Sequence, residues 1–217
     1  VTVQGNFSAD GGTIKLDGNY PVGTSNVALG NTALDNVEAG GNYNIAIGDS
    51  AGTALTTGDQ NTFVGSFSGI ATVTTSDNTG LGLSSLRANT GSNNTALGSQ
   101  ALRSNTTASN NTAVGYQAGY LNTTGVNNLS LGYQAGYTNA TGNYNTTVGT
   151  QSLANNTGSN NVALGQSALY SNTTASNNTT VGYKAGFSNT TGFLNAFGSH
   201  AAQAQTTGTN TTAIGSF

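Results

Sequence analysis

The side chains able to do acid–base, nucleophilic or metal chemistry are few in this sequence and poorly placed for it. Its 217 residues include seven Asp or Glu, four Lys or Arg, one His and no Cys. Hydrolysis of a glycan needs two carboxyl groups facing each other across a bond. Asp35, Glu38, Asp49, Asp59 and Asp77 instead read as solvated loop charges, and from Asn78 to Phe217 there is no Asp or Glu at all. His200 has no acid near it in sequence and stands as a variant of the row Gln100, Gln117, Gln134 and Gln151, which argues against a His-based triad or a zinc site. The glycines lack the G-x-x-x-x-G-K-[ST] spacing of a phosphate loop, and no acidic calcium-binding nonapeptide occurs. A net charge of -3, with Lys15, Arg87, Arg103 and Lys184 far apart, offers nucleic acid no basic footprint. No apolar run reaches the roughly 20 residues of a membrane span. These readings predict no catalytic residues, no metal, no cofactor, no nucleic-acid partner and no membrane insertion. The chain reads as a protein that is not an enzyme.

What the sequence does carry is a repeat. The stretch Asn111 to Asn127, NTAVGYQAGYLNTTGVN, recurs inexactly from Asn26 onward. Anchored on the glycine of NTAVG, the copies fall at Gly30, Gly48, Gly65, Gly82, Gly98, Gly115, Gly132, Gly149, Gly165, Gly182, Gly198 and Gly215, a short and nearly constant period. An apolar residue precedes each glycine, as in the row Leu97, Val114, Leu131, Val148, Leu164 and Val181. Four residues before it stands Asn from Asn26 to Asn178, as in Asn94, Asn111, Asn128, Asn145, Asn161 and Asn178. Two residues before it the side chain is usually small, as in Ala28, Ala46, Ala96 and Ala113.

A period this short signals stacked coils that bury their apolar faces only against their neighbours. The alternation before each glycine predicts a short strand, the following Gln-Ala-Leu or Gln-Ala-Gly a second one, and NTTG or NTTASN the turn between coils. The expected fold is all-β, a parallel β-roll or β-solenoid of about twelve coils with two parallel sheets back to back. The Leu97 row is expected to form one continuous buried row, and the Asn row a hydrogen-bonded ladder at a turn. Residues 1–25 fall outside the repeat and read as an N-terminal β cap or adaptor, with 26–217 as the repeat array.

Two kinds of coil occur. In one, Tyr follows the anchor and the second segment carries Gly then an aromatic, as in Tyr116 with Gly119-Tyr120. In the other, Leu replaces that Gly, as at Leu34, Leu86, Leu102, Leu153 and Leu169. The pairing suggests that the Tyr ring takes the space of the missing Leu. Thr90 to Gly125 and Thr157 to Gly192 agree at 28 of 36 positions when offset by four coils, so the array has been lengthened by whole coils. A rod survives such lengthening, whereas an active site would be disturbed by it. So thin a coil orders many residues for little apolar burial, which predicts a fibrous homo-oligomer, most simply a trimer, with the small Ala row where chains approach.

The units NVALG, NIAIG, NTALG and NTAVG, each followed by a short Ala-containing segment, resemble the N-S-V-A-I-G repeats in the heads of YadA-type trimeric autotransporter adhesins. They resemble still more closely the NTAxG-YQAG arrays of bacteriophage tail fibres and virion appendages, and the VTVQGNFSADGGTIKLDGNYPVG leader extends that likeness. The resemblance implies a left-handed, trimeric β-roll on a virion, with other virion or fibre proteins and a host-cell surface receptor as partners. The alternative is a bacterial adhesin head at the cell surface binding matrix protein or glycan. Units longer than the adhesin's imply longer loops, and the lack of stalk heptads or a membrane anchor favours the phage reading. An ice-binding solenoid is disfavoured because Thr pairs such as Thr106-Thr107 sit in turns of variable length. If the repeats contact a receptor, the candidate residues are Tyr120, Tyr137, Tyr170 and Phe187, since aromatic faces stack on sugars. The competing reading is that these rings stack from coil to coil and stiffen the rod.

Overall fold

The computed structural model describes residues 23–208 and 210–216. Twelve strands of three or four residues follow one another: β1 (Val27–Leu29), β2 (Ile45–Ile47), β3 (Thr62–Val64), β4 (Thr79–Leu81), β5 (Thr95–Leu97), β6 (Thr112–Val114), β7 (Leu129–Leu131), β8 (Thr146–Val148), β9 (Val162–Leu164), β10 (Thr179–Val181), β11 (Leu194–Phe197) and β12 (Thr211–Ile214). Each pairs in parallel with the next, giving a single sheet in sequence order, and the described residues contain no helix. The register places equivalent repeat positions side by side, Ala96 on Ala113 and Leu97 on Val114, and so on along the rod. The chain is a β-solenoid. The expected cap falls outside the described residues except for a bend at 23–25.

The anchor glycine is needed twice over. Gly132 has φ +133, which L side chains rarely adopt, and a Cβ there would lie 2.7 Å from the carbonyl oxygen of Gly149 in the next coil. The chain therefore turns off the sheet at the same point in each coil.

The second strand predicted for Gln-Ala-Leu and Gln-Ala-Gly does not form, so there is one sheet and not two. The segment is a run of turns in which alternate residues are left-handed: Gln100 and Leu102 have φ 61 and 47. That alternation turns successive carbonyls to one side. Leu102 and Ser104 both donate forward, to Ala118 and Tyr120, while the carbonyls of Ala101 and Arg103 both receive from the preceding coil, from Leu86 and Ala88. The wall is hydrogen-bonded coil to coil without being extended.

The left-handed position also explains the two kinds of coil. Gly119, Gly136 and Gly186 hold it at φ 59 to 60, where glycine is unstrained, while Leu86, Leu102, Leu153 and Leu169 hold it at φ 47 to 51 and point a large side chain into the core. Glycine suits the backbone and leucine fills the interior. The Tyr rings do not take the leucine's space: Tyr116 and Tyr133 are exposed, and a Cβ on Gly119 would meet Leu102 of the preceding coil at 2.8 Å.

Inside and outside are reversed from the expectation for the strands. The row Leu97, Val114, Leu131, Val148, Leu164 and Val181 is continuous and in register but faces outward, half-buried or exposed, with Val114 37 % exposed. The small row faces the interior: Ala46, Ala96, Ala113, Ala163 and Ala196 are fully buried. So short a coil is too narrow for large side chains from both walls. The opposite wall supplies leucine, so the strand must supply alanine. The small row is consequently not where chains could approach each other.

Candidate functional surfaces

The Asn row is the interior spine. Asn111 Nδ2 donates to the Gly125 carbonyl at 2.9 Å, its backbone N–H donates to Asn94 Oδ1 at 3.0 Å, and its own Oδ1 accepts from the Asn128 N–H at 2.9 Å. The pattern repeats through Asn94, Asn128, Asn145, Asn161 and Asn178 and ends where Leu194 donates its N–H to Asn178 Oδ1. A neutral amide offers both donor and acceptor in one side chain, whereas a carboxylate offers only acceptors and its burial carries the cost of its charge. The ladder expected at this position is present, and it is structural.

A second ladder, not foreseen from the sequence, lies on the same side of the core. Asn105 Nδ2 donates to Asn89 Oδ1 at 2.6 Å, Asn122 Nδ2 to Asn105 Oδ1 at 2.7 Å, and Asn172 Nδ2 to Asn156 Oδ1 at 2.6 Å. These are the asparagines of NTTG and NTTASN, which read as turn formers because Asn is common in turns. Their strict recurrence at one fixed distance after the anchor glycine was the available signal. Gln100, Gln117, Gln134 and Gln151 form a third, partly buried ladder at 2.7, 2.9 and 3.2 Å. His200 occupies the Gln position with the same left-handed backbone, its ring edge-on to Tyr183 at 5.0 Å.

The four candidate contact residues form two stacks. Tyr120 lies on Tyr137 at 5.1 Å and 3°, and Tyr170 on Phe187 at 5.2 Å and 5°. Arg103 caps the first stack, donating to the Tyr120 hydroxyl at 2.9 Å with its guanidinium 5.5 Å from the ring centre. Lys184 lies 5.6 Å from the Phe187 ring. All four rings are half-buried, so the stacking component of the expectation is present whatever else they touch. Among the described residues the most exposed aromatic rings are elsewhere: Tyr144 and Tyr43, 60 % and 59 % exposed. Both occupy the residue before the ladder Asn, left-handed at φ 56 and 59, where other coils place Asn, Asp, Gln or Ser. Asn and Asp tolerate that conformation and a bulky ring does not.

The charged groups are dispersed. Asp49 accepts from Asn31 Nδ2 at 3.2 Å and Asp59 from the Asn42 N–H at 2.6 Å, which makes them ladder acceptors on outer turns. Among the described residues no group of three or more His, Cys, Asp or Glu could hold a metal, and no helix is long and apolar enough to cross a membrane. A hollow of about 500 Å³ beside His200, lined also by Gln203, Gln205 and Ala213, brings the imidazole no carboxylate. Comparison of the chain with protein-family models, with curated proteins and with solved structures finds no match.

Proposed function

We propose that this chain is the shaft of a virion fibre or appendage, a homotrimer that takes part in host attachment. The observation that carries the reading is the outer face of the sheet. Every strand places a large apolar residue there, from Leu29 and Ile47 through Leu81 at 49 % exposure to Phe197. Twelve strands at about 4.8 Å per step make this row roughly 50 Å long. Lone soluble chains seldom expose contiguous apolar surface beyond a few hundred Å². Identical parallel rods can all bury such a face if they are related by a rotation axis along the rod, which closes the assembly. The number three rests on the resemblance of the NTAVG and YQAG units to trimeric fibre and adhesin repeats. The interface is assigned to the large outer row and not to the alanines. Host contact is assigned to the outward aromatics, Tyr43 and Tyr144 together with the stacked Tyr120, Tyr137, Tyr170 and Phe187.

Sedimentation tests the assembly. The unaltered chain should run as a trimer at micromolar concentration, and Val114→Asp with Leu131→Asp should give a folded monomer, since the substitutions place charge on an outer face without touching the core. A folded, monodisperse monomer from the unaltered chain would sink the trimer. Gold-labelled antibody against the chain should decorate virions; labelling of bacterial envelopes alone would transfer the protein to the adhesin class.

A further inference from the structure

The interior is not continuous. One apolar cluster runs from Ala33 to Ala118 and the next begins at Leu153. In between, two successive coils carry glycine at the left-handed position, Gly119 and Gly136, and the strand residues facing the core pass from Ala113 to Ser130 and Thr147. Leu102 leans into the space over Gly119, but nothing comparable reaches Gly136, whose nearest side chains are the hydroxyl-bearing Ser130 and Thr147. A cavity of about 10 Å³ results, lined by Asn122, Ser130, Gly136 and Asn139 among others.

The second Asn ladder breaks at the same place. Asn122 is 2 % exposed, and its Oδ1 has no hydrogen-bond partner. The rung that Asn139 would supply is not made: Asn139 Nδ2 donates to the Gly142 carbonyl at 3.1 Å, and its Oδ1 accepts from Asn156 at 3.2 Å. One Nδ2 hydrogen of Asn139 is thus left over opposite an orphaned acceptor. Ser130 Oγ accepts from Thr147 at 3.2 Å and keeps its own proton to give. An orphaned buried carbonyl costs about 1–3 kcal/mol, and a polar cavity of roughly 10–15 Å³ with two to four partners is what one buried water requires.

We propose that a single internal water molecule completes this rung, donating to Asn122 Oδ1 and accepting from Asn139 Nδ2 and the Ser130 hydroxyl. The site is independent of the proposed fibre function. It is created by two glycine coils in succession, because each coil borrows core volume from its neighbour and here neither has any to lend. Asn172 Oδ1 also lacks a partner, three coils further on, where one glycine coil, that of Gly186, follows Leu169 and the apolar core breaks again before Ala185.

Oxygen-17 magnetic relaxation dispersion counts long-lived internal waters, and a crystal map at atomic resolution locates them. The unaltered chain should show density within hydrogen-bond distance of Asn122 Oδ1. The double variant Ser130→Ala/Gly136→Leu rebuilds the arrangement already used at Ala96 with Leu102 and at Ala163 with Leu169, where leucine is held at the same left-handed φ. It should lose one long-lived water per chain relative to the unaltered protein. Equal counts in the two proteins would overturn the proposal. So would a map of the unaltered chain in which Asn139 Nδ2 bonds Asn122 Oδ1 directly, and this arm does not depend on the variant folding.

Discussion

The coils of β1–β3 and those of β4–β10 fill the same interior position by different means. In the first three coils the seventh residue after the anchor glycine is Val37, Leu55 and Thr72; from the fourth it is Asn89, Asn105, Asn122, Asn139, Asn156, Asn172 and Asn189. All ten are buried. The early coils also place Phe63, fully buried, on the strand, and they make room for its ring with glycine at three neighbouring points, Gly52, Gly69 and Gly80. The difference shows that the repeat fixes the backbone path and leaves the interior chemistry to agreement between neighbours. An apolar coil with a phenylalanine fits only the coils shaped around it. An Asn coil presents the same donor and acceptor to the coil before and the coil after, so any number can be stacked. That is a physical reason for the four-coil duplication to lie wholly in the Asn region.

The largest effect should come from Phe63→Ala. The ring is the largest fully buried side chain among the described residues, and the glycines around it offer nothing that could collapse into its place. The expected loss is about 3–5 kcal/mol of unfolding free energy, measured by denaturant melts. Hydrogen exchange should show it confined to 45–86 while amides beyond 140 keep their protection, since each coil contacts only its neighbours. Uniform loss of protection along the rod would deny that the two regions are separable.

How much of this was legible in the sequence divides along the same line. The strands, their parallel order and the Asn94 to Asn178 ladder follow from the short, nearly constant period, which leaves a short strand, a glycine corner and an inward amide little freedom. The orientation of the strand did not follow. Apolar patterning assigns Leu97 to the inside and Ala96 to a contact between chains, and only the narrowness of the coil, set by leucines on the opposite wall, reverses them. That wall reads as a strand because Gln-Ala-Leu carries no turn residue; its left-handed leucines are held by the coils on either side, against local preference. The repeat does not single out the exposed Tyr43 and Tyr144, because they stand six coils apart in a mostly polar row, whereas Tyr120 and Tyr137 fall in successive coils.

Exchanging the two interior chemistries sharpens the comparison with a smaller expected effect. Asn105→Leu removes hydrogen bonds with Asn89, Asn122 and the Ala108 carbonyl, although each of those groups keeps another partner. Leu55→Asn puts an amide between Val37 and Thr72, where no ladder partner stands. Each should cost about 1–3 kcal/mol, the first through lost bonds offset by added apolar contact, the second through an unsatisfied buried amide. A neutral result for either, by thermal or chemical melting, would mean that the interior accepts both chemistries anywhere and that the agreement between neighbours is incidental.

The smallest effect has the opposite sign. Tyr43 stands in the first region and Tyr144 in the second, each left-handed and exposed where the coils next to Tyr144 carry Asn127 and Asn160. A ring at φ 56 is strained by roughly 1 kcal/mol relative to a residue that tolerates the left-handed region. Its exposure returns little of that by burial. Tyr144→Asn should therefore raise stability by about 0.5–1 kcal/mol, read as a small upward shift in the melting midpoint. Under the proposed attachment function, the same substitution should weaken adsorption of fibre-bearing particles to host cells, because strain kept at an exposed aromatic is expected where the side chain makes a contact outside the molecule. A rise in melting with unchanged adsorption would confine host contact to the stacked rings or to another part of the fibre. A fall in melting would mean that the ring packs within the assembled protein, which would place Tyr144 at the seam between chains.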